Sequence, residues 1–398
     1  MQKEKILKEL IKKKFKSKII SIEQFTEACL YGKFGYYNNS NVIGKKGDFI
    51  TSPEISQLFG DIIGLFILYH WKINLKKKFN FYELGPGKGT LLIDLLNITK
   101  KFNEFQKSMN IYLIEKNIKL IEVQKTNILN FNYNPKKINW LKNFSKKNEY
   151  PNIIFANEFF DCFPVKQFFK KNKTWYEKMI EIKYNESLIK FKDIIINDKK
   201  TLKQLNQYKN SEVLEISNSR DNYFDKICKH ISKLGGMIIV IDYGYRNRPG
   251  YFTLQSVYNN KKSNLLDNIG KQDISSLVDF NKLIDLGKKN NLKIELFSSQ
   301  REFLLNNGIK ERENKILKIA NNKQRIMIQK GVKRIIDKKV RDKINIVGEI
   351  KDADYIINHF YNWRNKDNWQ KNEPPKAFKV LQEIKIGDIS VNSIYKRQ

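Results

Sequence analysis

Cysteine and histidine are scarce: the 398 residues include three of each. Cys29, Cys162 and Cys228 lie far apart without paired spacing, which argues against a disulfide framework and a cysteine-based zinc site. His70, His230 and His359 are equally scattered. A histidine metal centre or a Ser-His triad therefore has little to work with, and no metal site is expected. Arginine is also thin, with only ten among the 75 basic residues and none before Arg220. No uninterrupted apolar run is long enough to span a bilayer, and Ile62 to Trp71 reads as a core helix. The first residues lack the apolar centre of a secretory signal. Their Glu4 and Glu9, with no arginine or early serine, also depart from a transit peptide. The expectation is a cytoplasmic protein.

The net charge of +33 invites a nucleic-acid reading. Lysine, however, is spread over the whole chain, and arginine is the side chain suited to bidentate phosphate and base contacts. The runs Lys12-Lys13-Lys14, Lys76-Lys77-Lys78 and Lys170-Lys171 read as solvated faces, so no specific nucleic-acid partner is expected. Hydrophobic content of 41% is enough for a sizeable core.

One stretch organises the rest. Asn80-Phe-Tyr-Glu83-Leu84 reads as a strand and Thr90 to Leu96 as a helix, with Leu91, Leu92, Leu95 and Leu96 on one face. Between them, Gly85, Gly87 and Gly89 let the backbone turn sharply and let a ligand approach closely. The free N–H groups of the following helix face the same place. A dinucleotide fingerprint spaces its second and third glycines by three residues; here the spacing is two. Glu83, just before the turn, would repel a pyrophosphate and suits a cation. S-adenosylmethionine (SAM) carries a sulfonium and an ammonium and fits better. Such turns also arise for packing alone, so the stretch by itself leaves a structural role open.

Further strands follow as buried runs: Asn110–Glu115, Ile138–Leu141, Asn152–Ala156, Met237–Gly244, Leu292–Phe297 and Phe378–Ile384. Helical material alternates with them, which predicts an α/β fold with a doubly wound sheet. Glu115, at the tip of the second strand, is placed to accept hydrogen bonds from ribose hydroxyls. Its distance from the turn exceeds the usual figure of about 20 residues, so the intervening helix should be extended. Asn157, Glu158 and Asp161 crowd the end of the fourth strand, and Asp242 and Tyr243 end the fifth. Ligands in such sheets sit beyond these carboxyl ends. Upstream, the first residues form two helices, with Ile6, Leu7, Leu10 and Ile11 on one face of the first and Ser21 capping the second. Ser52-Pro53-Glu54 starts a helix that runs on to Ile67. The expected domains are a cap over 1–54 and a core over 55–398. The core carries a β-rich insertion at about 168–215 and a mainly helical one at about 300–375.

Five motifs in this order resemble the MidA family of SAM-dependent methyltransferases. They are Gly47-Asp48-Phe49-Ile50-Thr51-Ser52-Pro53-Glu54, Glu83-Leu-Gly85-Pro-Gly87-Lys-Gly89-Thr90, Ala156-Asn157-Glu158-Phe-Phe-Asp161, Ile241-Asp242-Tyr243-Gly244 and Ser299-Gln-Arg-Glu-Phe-Leu-Leu305. The resemblance implies a class I (Rossmann-like) methyltransferase sheet with an N-terminal helical cap. It implies symmetric dimethylation of an arginine on the 49 kDa-type subunit of respiratory complex I, a protein substrate. It also implies that Gly85, Gly87 and Gly89 approach the methionine part of SAM, and that Glu115 holds the ribose. Asp48, Thr51 and Ser52 would close the pocket. Glu158 and Asp161 would bind the guanidinium and accept its proton, with Asn157 orienting and Asp242 or Tyr243 assisting. Two departures stand out: Leu277 replaces a usual histidine, and no acid follows Trp140. Other readings of the same residues are a non-catalytic complex I assembly factor that uses SAM structurally, and a nucleic-acid methyltransferase. No Asn/Asp-Pro-Pro-aromatic motif supports the latter. The oligomeric state is open.

Overall fold

A strand covered by helices on both faces must be apolar on both faces. Phe79–Leu84 (β1) is buried at every position, and Asn152–Asn157 (β4) and Gly236–Tyr245 (β5) nearly so. In the computed structural model, which describes residues 6, 19–38, 51–144, 149–183, 188–208, 211–336 and 354–362, these strands are the centre of an eight-stranded sheet. With Met109–Ile114 (β2), Ile138–Leu141 (β3), Lys293–Ser299 (β6) and Asp354–Asn362 (β7), the order is β3-β2-β1-β4-β5-β7-β6. Strands β1 to β5 are mutually parallel, and β7 is antiparallel to both neighbours. The two-residue strand Val278–Asp279 pairs with the end of β5. This is the class I methyltransferase arrangement. The chain leaves β1 toward β2 and β3, then returns to β4 on the other side. The crevice at that reversal, beyond the carboxyl ends of β1 and β4, is where such sheets bind ligands.

The period-two alternation of the strands sorts the core into two layers. Phe79 and Phe81 of β1 and Met237, Ile239 and Ile241 of β5 face one cluster. It contains Gln57–His70 (α3), Thr90–Ile98 (α4) and the later helices Gln300–Asn306, Ile309–Leu317 and Asn322–Ile336. Tyr82, Leu84, Ile238 and Val240 face the other cluster, with Asn218–Leu234 (α6) and Phe280–Lys289. The same alternation places Glu83 on the α4 side of the sheet and Asp242 on the α6 side.

Several expectations need correction. The helix before β2 is not extended: α4 ends at Ile98 and a separate helix, Asn103–Ser108, fills the gap. The helix expected from Ser52 onward is broken, because Ser56 has an extended backbone. Ser52–Ile55 (α2) ends there, and the Ser56 hydroxyl caps α3 by accepting from the Leu58 N–H. Gln57–Leu75, α3 with its terminal π turn, is long and apolar enough to cross a bilayer by length and composition, but Asp61 and Lys72 interrupt it, in line with the expected core helix. It is packed in the core, with 72% of its most apolar stretch buried. The strand expected over Phe378–Ile384 lies outside the described residues. The antiparallel strand in the sheet is Asp354–Asn362, within the span expected to be mainly helical. The first expected helix also lies outside the described residues, apart from Ile6, which is buried.

Ile22–Tyr31 (α1) begins at Ser21 with a reciprocal capping box to Gln24. The strand before it, Ile19–Ser21, pairs with Thr174–Lys183 in a five-stranded sheet with Lys166–Lys171, Leu188–Ile195 and Val213–Ile216. The N-terminal segment and the insertion thus share one sheet. Phe25, Cys29 and Leu30 of α1 pack on Ile180 and Ile182, which holds α1 over the carboxyl ends of the main strands.

Candidate active site

The glycine turn is left-handed at all three positions, with φ of +63° at Gly85, +55° at Gly87 and +77° at Gly89. The Gly89 N–H closes the turn on the Pro86 carbonyl at 2.7 Å. A Cβ on Gly85 would stand 3.1 Å from the Phe159 ring, closer than ordinary contact. All three positions are therefore conformationally restricted to glycine, and Gly85 sterically as well.

Glu83 lies beneath this turn and is 5% exposed. Among the described residues its Oε2 has no hydrogen-bond partner. Burial, and then the neighbouring Asp94, push its carboxyl up to about 8. A buried carboxylate without a cation is costly, so the ionised form of Glu83 calls for a positive charge beside it. Glu83 lines a cavity of about 420 Å³ that also takes in Gly85, Gly87 and Glu115, a volume in the usual range of small-molecule sites. A buried acid with one oxygen unbonded among the described residues, left-handed glycines and a second acid fit the ammonium, methionine and ribose parts of SAM.

Glu115 follows β2. Its Oε1 accepts from the Asn117 N–H at 2.9 Å and its Oε2 from Gln124 Nε2 at 3.4 Å. Burial raises its carboxyl, against the pull of these donors. Asn117 caps Ile118–Asn130 (α5), and its Nδ2 donates to the Tyr37 carbonyl at 2.6 Å, tying the N-terminal segment to this edge.

At the end of β4, Asn157 and Glu158 line the same cavity. Asn157 Nδ2 donates to Glu158 Oε1 at 3.3 Å, and among the described residues Asn157 Oδ1 has no partner. Glu158 has φ of +50°, which costs about 1–3 kcal/mol in a non-glycine residue and persists only where its surroundings enforce it. Enforcement comes from Asp242. One oxygen of its wholly buried carboxylate accepts from the N–H groups of Phe159, Phe160 and Asp161 at 3.2, 2.8 and 3.3 Å; the other accepts from Tyr243. Asp242 and Tyr243 were expected to assist the chemistry directly. The structure puts neither on the cavity wall: Asp242 is consumed by backbone donors, and Tyr243 packs against the larger core. Asp161 is off the wall too. Its carboxyl is pushed well above the usual range, by burial first and then by Asp242, Asp273 and Glu158, with Arg220 opposing.

The N-terminal segment supplies the far wall: Glu23, Glu27 and Tyr31 from α1, with Tyr37. Tyr31 stacks on Tyr37 at 5.4 Å and donates to the Cys162 carbonyl at 2.9 Å. Thr51 and Glu54 also face the cavity, and Glu54 accepts from Thr90 and pairs with Lys88 at 3.6 Å. Ser52 does not: it is buried and donates to Gln300 at 3.3 Å, fastening α2 to the C-terminal helices. Asp48 lies outside the described residues. The sequence offered little to single out Glu23 and Glu27, which look like any solvated helix face. The aromatic run from Tyr31 to Tyr37 was the one visible signal. A chain of charge +33 thus lines its cavity with Glu23, Glu27, Glu54, Glu83, Glu115 and Glu158, against Lys88, Lys116 and Lys142.

Comparison with known proteins agrees with this geometry. The sequence profile of the S-adenosyl-L-methionine-dependent methyltransferase family Methyltransf_28 matches residues 62–298. The chain is 28% identical over 330 residues to a Caenorhabditis elegans protein named as a mitochondrial homolog of the protein arginine methyltransferase NDUFAF7, covering 77% of this chain and 76% of that one. Against human NDUFAF7, also named a mitochondrial protein arginine methyltransferase, identity is 27% over 308 residues, or 72% and 69% of the two chains. A crystal structure of a COG1565 superfamily member from Burkholderia thailandensis, bound to S-adenosyl-homocysteine, superposes with a TM-score of 0.75 at 19% identity, covering 92% and 93% of the two chains. That last likeness bears on the fold.

Proposed function

The chain belongs to this family of SAM-dependent methyltransferases, and from that premise we propose that it methylates arginine side chains of a protein. The observation that carries the reading is the anionic end of β4. Glu158 is held on the cavity wall in a strained backbone conformation with Asn157 hydrogen-bonded to it. The names of the relatives at 27–28% identity point the same way.

When bound, SAM supplies an electrophilic methyl group. Glu83 holds the ammonium end, the glycine turn admits the methionine chain, and Glu115 takes the ribose hydroxyls. Thr51 and Glu54 close that side. A guanidinium is always cationic and its lone pairs are delocalised. The Glu158 carboxylate draws the positive charge toward the nitrogens that do not react, through charge-assisted hydrogen bonds. It then takes the proton that the methylated nitrogen must lose. Asn157 fixes the Glu158 carboxylate. Asp242 acts through the turn, as a positioning residue. Alignment of the two reactants supplies the rest of the acceleration.

The finer reading is symmetric dimethylation of the 49 kDa-type subunit of respiratory complex I, in aid of its assembly. Incubation with methyl-labelled SAM and the complex I subunits of the host tests both levels. Label recovered in arginine of that subunit, as the symmetric dimethyl form, is expected. Label confined to lysine or to nucleic acid contradicts the arginine reading, and label in arginine of other proteins contradicts only the target.

A further inference from the structure

Helix α5 reaches back over the glycine turn with two amide side chains. Gln124, wholly buried, donates through Nε2 to the Gly87 carbonyl at 2.8 Å and, at 3.4 Å, to Glu115 Oε2. Its Oε1 accepts from Trp140 Nε1 at 2.8 Å. Asn127, three residues on, donates to the Lys88 carbonyl at 3.1 Å. The indole N–H can only donate, so it decides which end of the Gln124 amide is oxygen. The NH₂ group must then face Gly87 and Glu115, and each of its two hydrogens has an acceptor.

We propose that Gln124 is a positioning residue for the cofactor, joining the turn that admits the methionine chain to the acid that takes the ribose. The peptide unit is planar and trans, so drawing the Gly87 carbonyl toward α5 aims the Lys88 N–H away from it. At Glu115, the Asn117 and Gln124 donors take one lone pair on each oxygen, and the Lys116 backbone N–H also bonds to the carboxylate. An ionised carboxylate offers about four such sites, which leaves an acceptor for a ribose hydroxyl. One side chain therefore sets the spacing between the two ends of the grip. The proposal rests on Glu115 as the ribose acid and is independent of which substrate receives the methyl group.

The test is SAM affinity by titration calorimetry for four proteins: the wild type, Gln124→Met, Glu115→Gln and the double variant. Methionine keeps length and volume and removes the hydrogen bonds. Each single change is expected to weaken binding roughly ten- to a hundredfold, as for loss of buried hydrogen bonds. The double variant should be far less affected than the product of the two, because both remove the same coupling. Effects that multiply overturn the proposal. Binding unaffected by Glu115→Gln in a wild type that binds SAM removes the ribose assignment and the proposal with it, while leaving the family's cofactor site in place. Gln124→Glu supplies a second, isosteric measurement should the methionine variant fail to fold. Its introduced carboxyl repels Glu115 when ionised and donates when protonated. Its affinity relative to wild type should recover at least severalfold from pH 8 to pH 6, and a ratio that does not move with pH overturns the proposal.

Discussion

Asp242 holds the turn on which Glu158 stands. From the end of β5 its carboxylate gathers the N–H groups of Phe159, Phe160 and Asp161, the three residues that follow the left-handed Glu158. One acid is thereby spent on presenting another. Asp242→Asn keeps the size but replaces an acceptor oxygen with a donor facing other donors. Transfer should fall about tenfold or more, through displacement of Glu158. Stability should fall by about 1–3 kcal/mol, the cost of unsatisfied buried groups. SAM affinity should stay within a few-fold. Kinetics, melting and calorimetry on the one variant check all three.

Glu158→Gln removes the proton acceptor and keeps the shape. Turnover should drop roughly 10²–10⁴-fold, the usual range for a general base, with SAM affinity unchanged. Single-turnover assays beside calorimetry read the two effects separately. Activity retained in this variant would remove Glu158 from the chemistry.

The pH dependence of cofactor binding should follow Glu83. Its carboxyl is raised to about 8 by burial and Asp94, above the ordinary value of about 4.3. Stability from this group is therefore complete below the unfolded value and is lost as pH rises through about 8. A ligand cation needs the ionised form. SAM affinity should thus climb from pH 6 toward 8, at up to about tenfold per pH unit. Glu83→Gln should flatten that slope, weaken binding at pH 8, and raise the melting temperature of the ligand-free protein there. Calorimetry across the range, with melting curves, checks the signs.

Much of this was legible because it is local. The strands β1 to β6 are short apolar runs bounded by turn residues, and the glycine turn is written in consecutive residues. Glu83, Glu115, Asn157 and Glu158 could be named because each follows or ends such a run. What escaped depends on distant partners. Asp242 looked like a site acid, and only its neighbours across the sheet show that its lone pairs are taken. Gln124 is an unremarked residue of an amphipathic helix until Gly87, Glu115 and Trp140 close around it. Glu23 and Glu27 reach the cavity because Ile19–Ser21 pairs with a strand some 160 residues later. The Asp354–Asn362 strand did carry a signal, its enrichment in tyrosine, isoleucine and phenylalanine. Its place beyond a run of helices masks that signal.

The core should respond as a close-packed one. Phe81, at the middle of β1, is wholly buried against the cluster that includes α3 and α4. Phe81→Ala should cost about 3–5 kcal/mol, read from denaturant unfolding, without a direct effect on the cavity's acids.

The most direct measurement is titration of SAM into the wild-type protein beside Gly87→Val. A β-branched side chain is strained at the +55° φ of Gly87 and narrows the approach to the turn. Saturable one-to-one binding in the wild type, weakened a hundredfold or more in the variant, is the predicted result. Equal binding in both proteins would place the cofactor away from this turn and contradict the account.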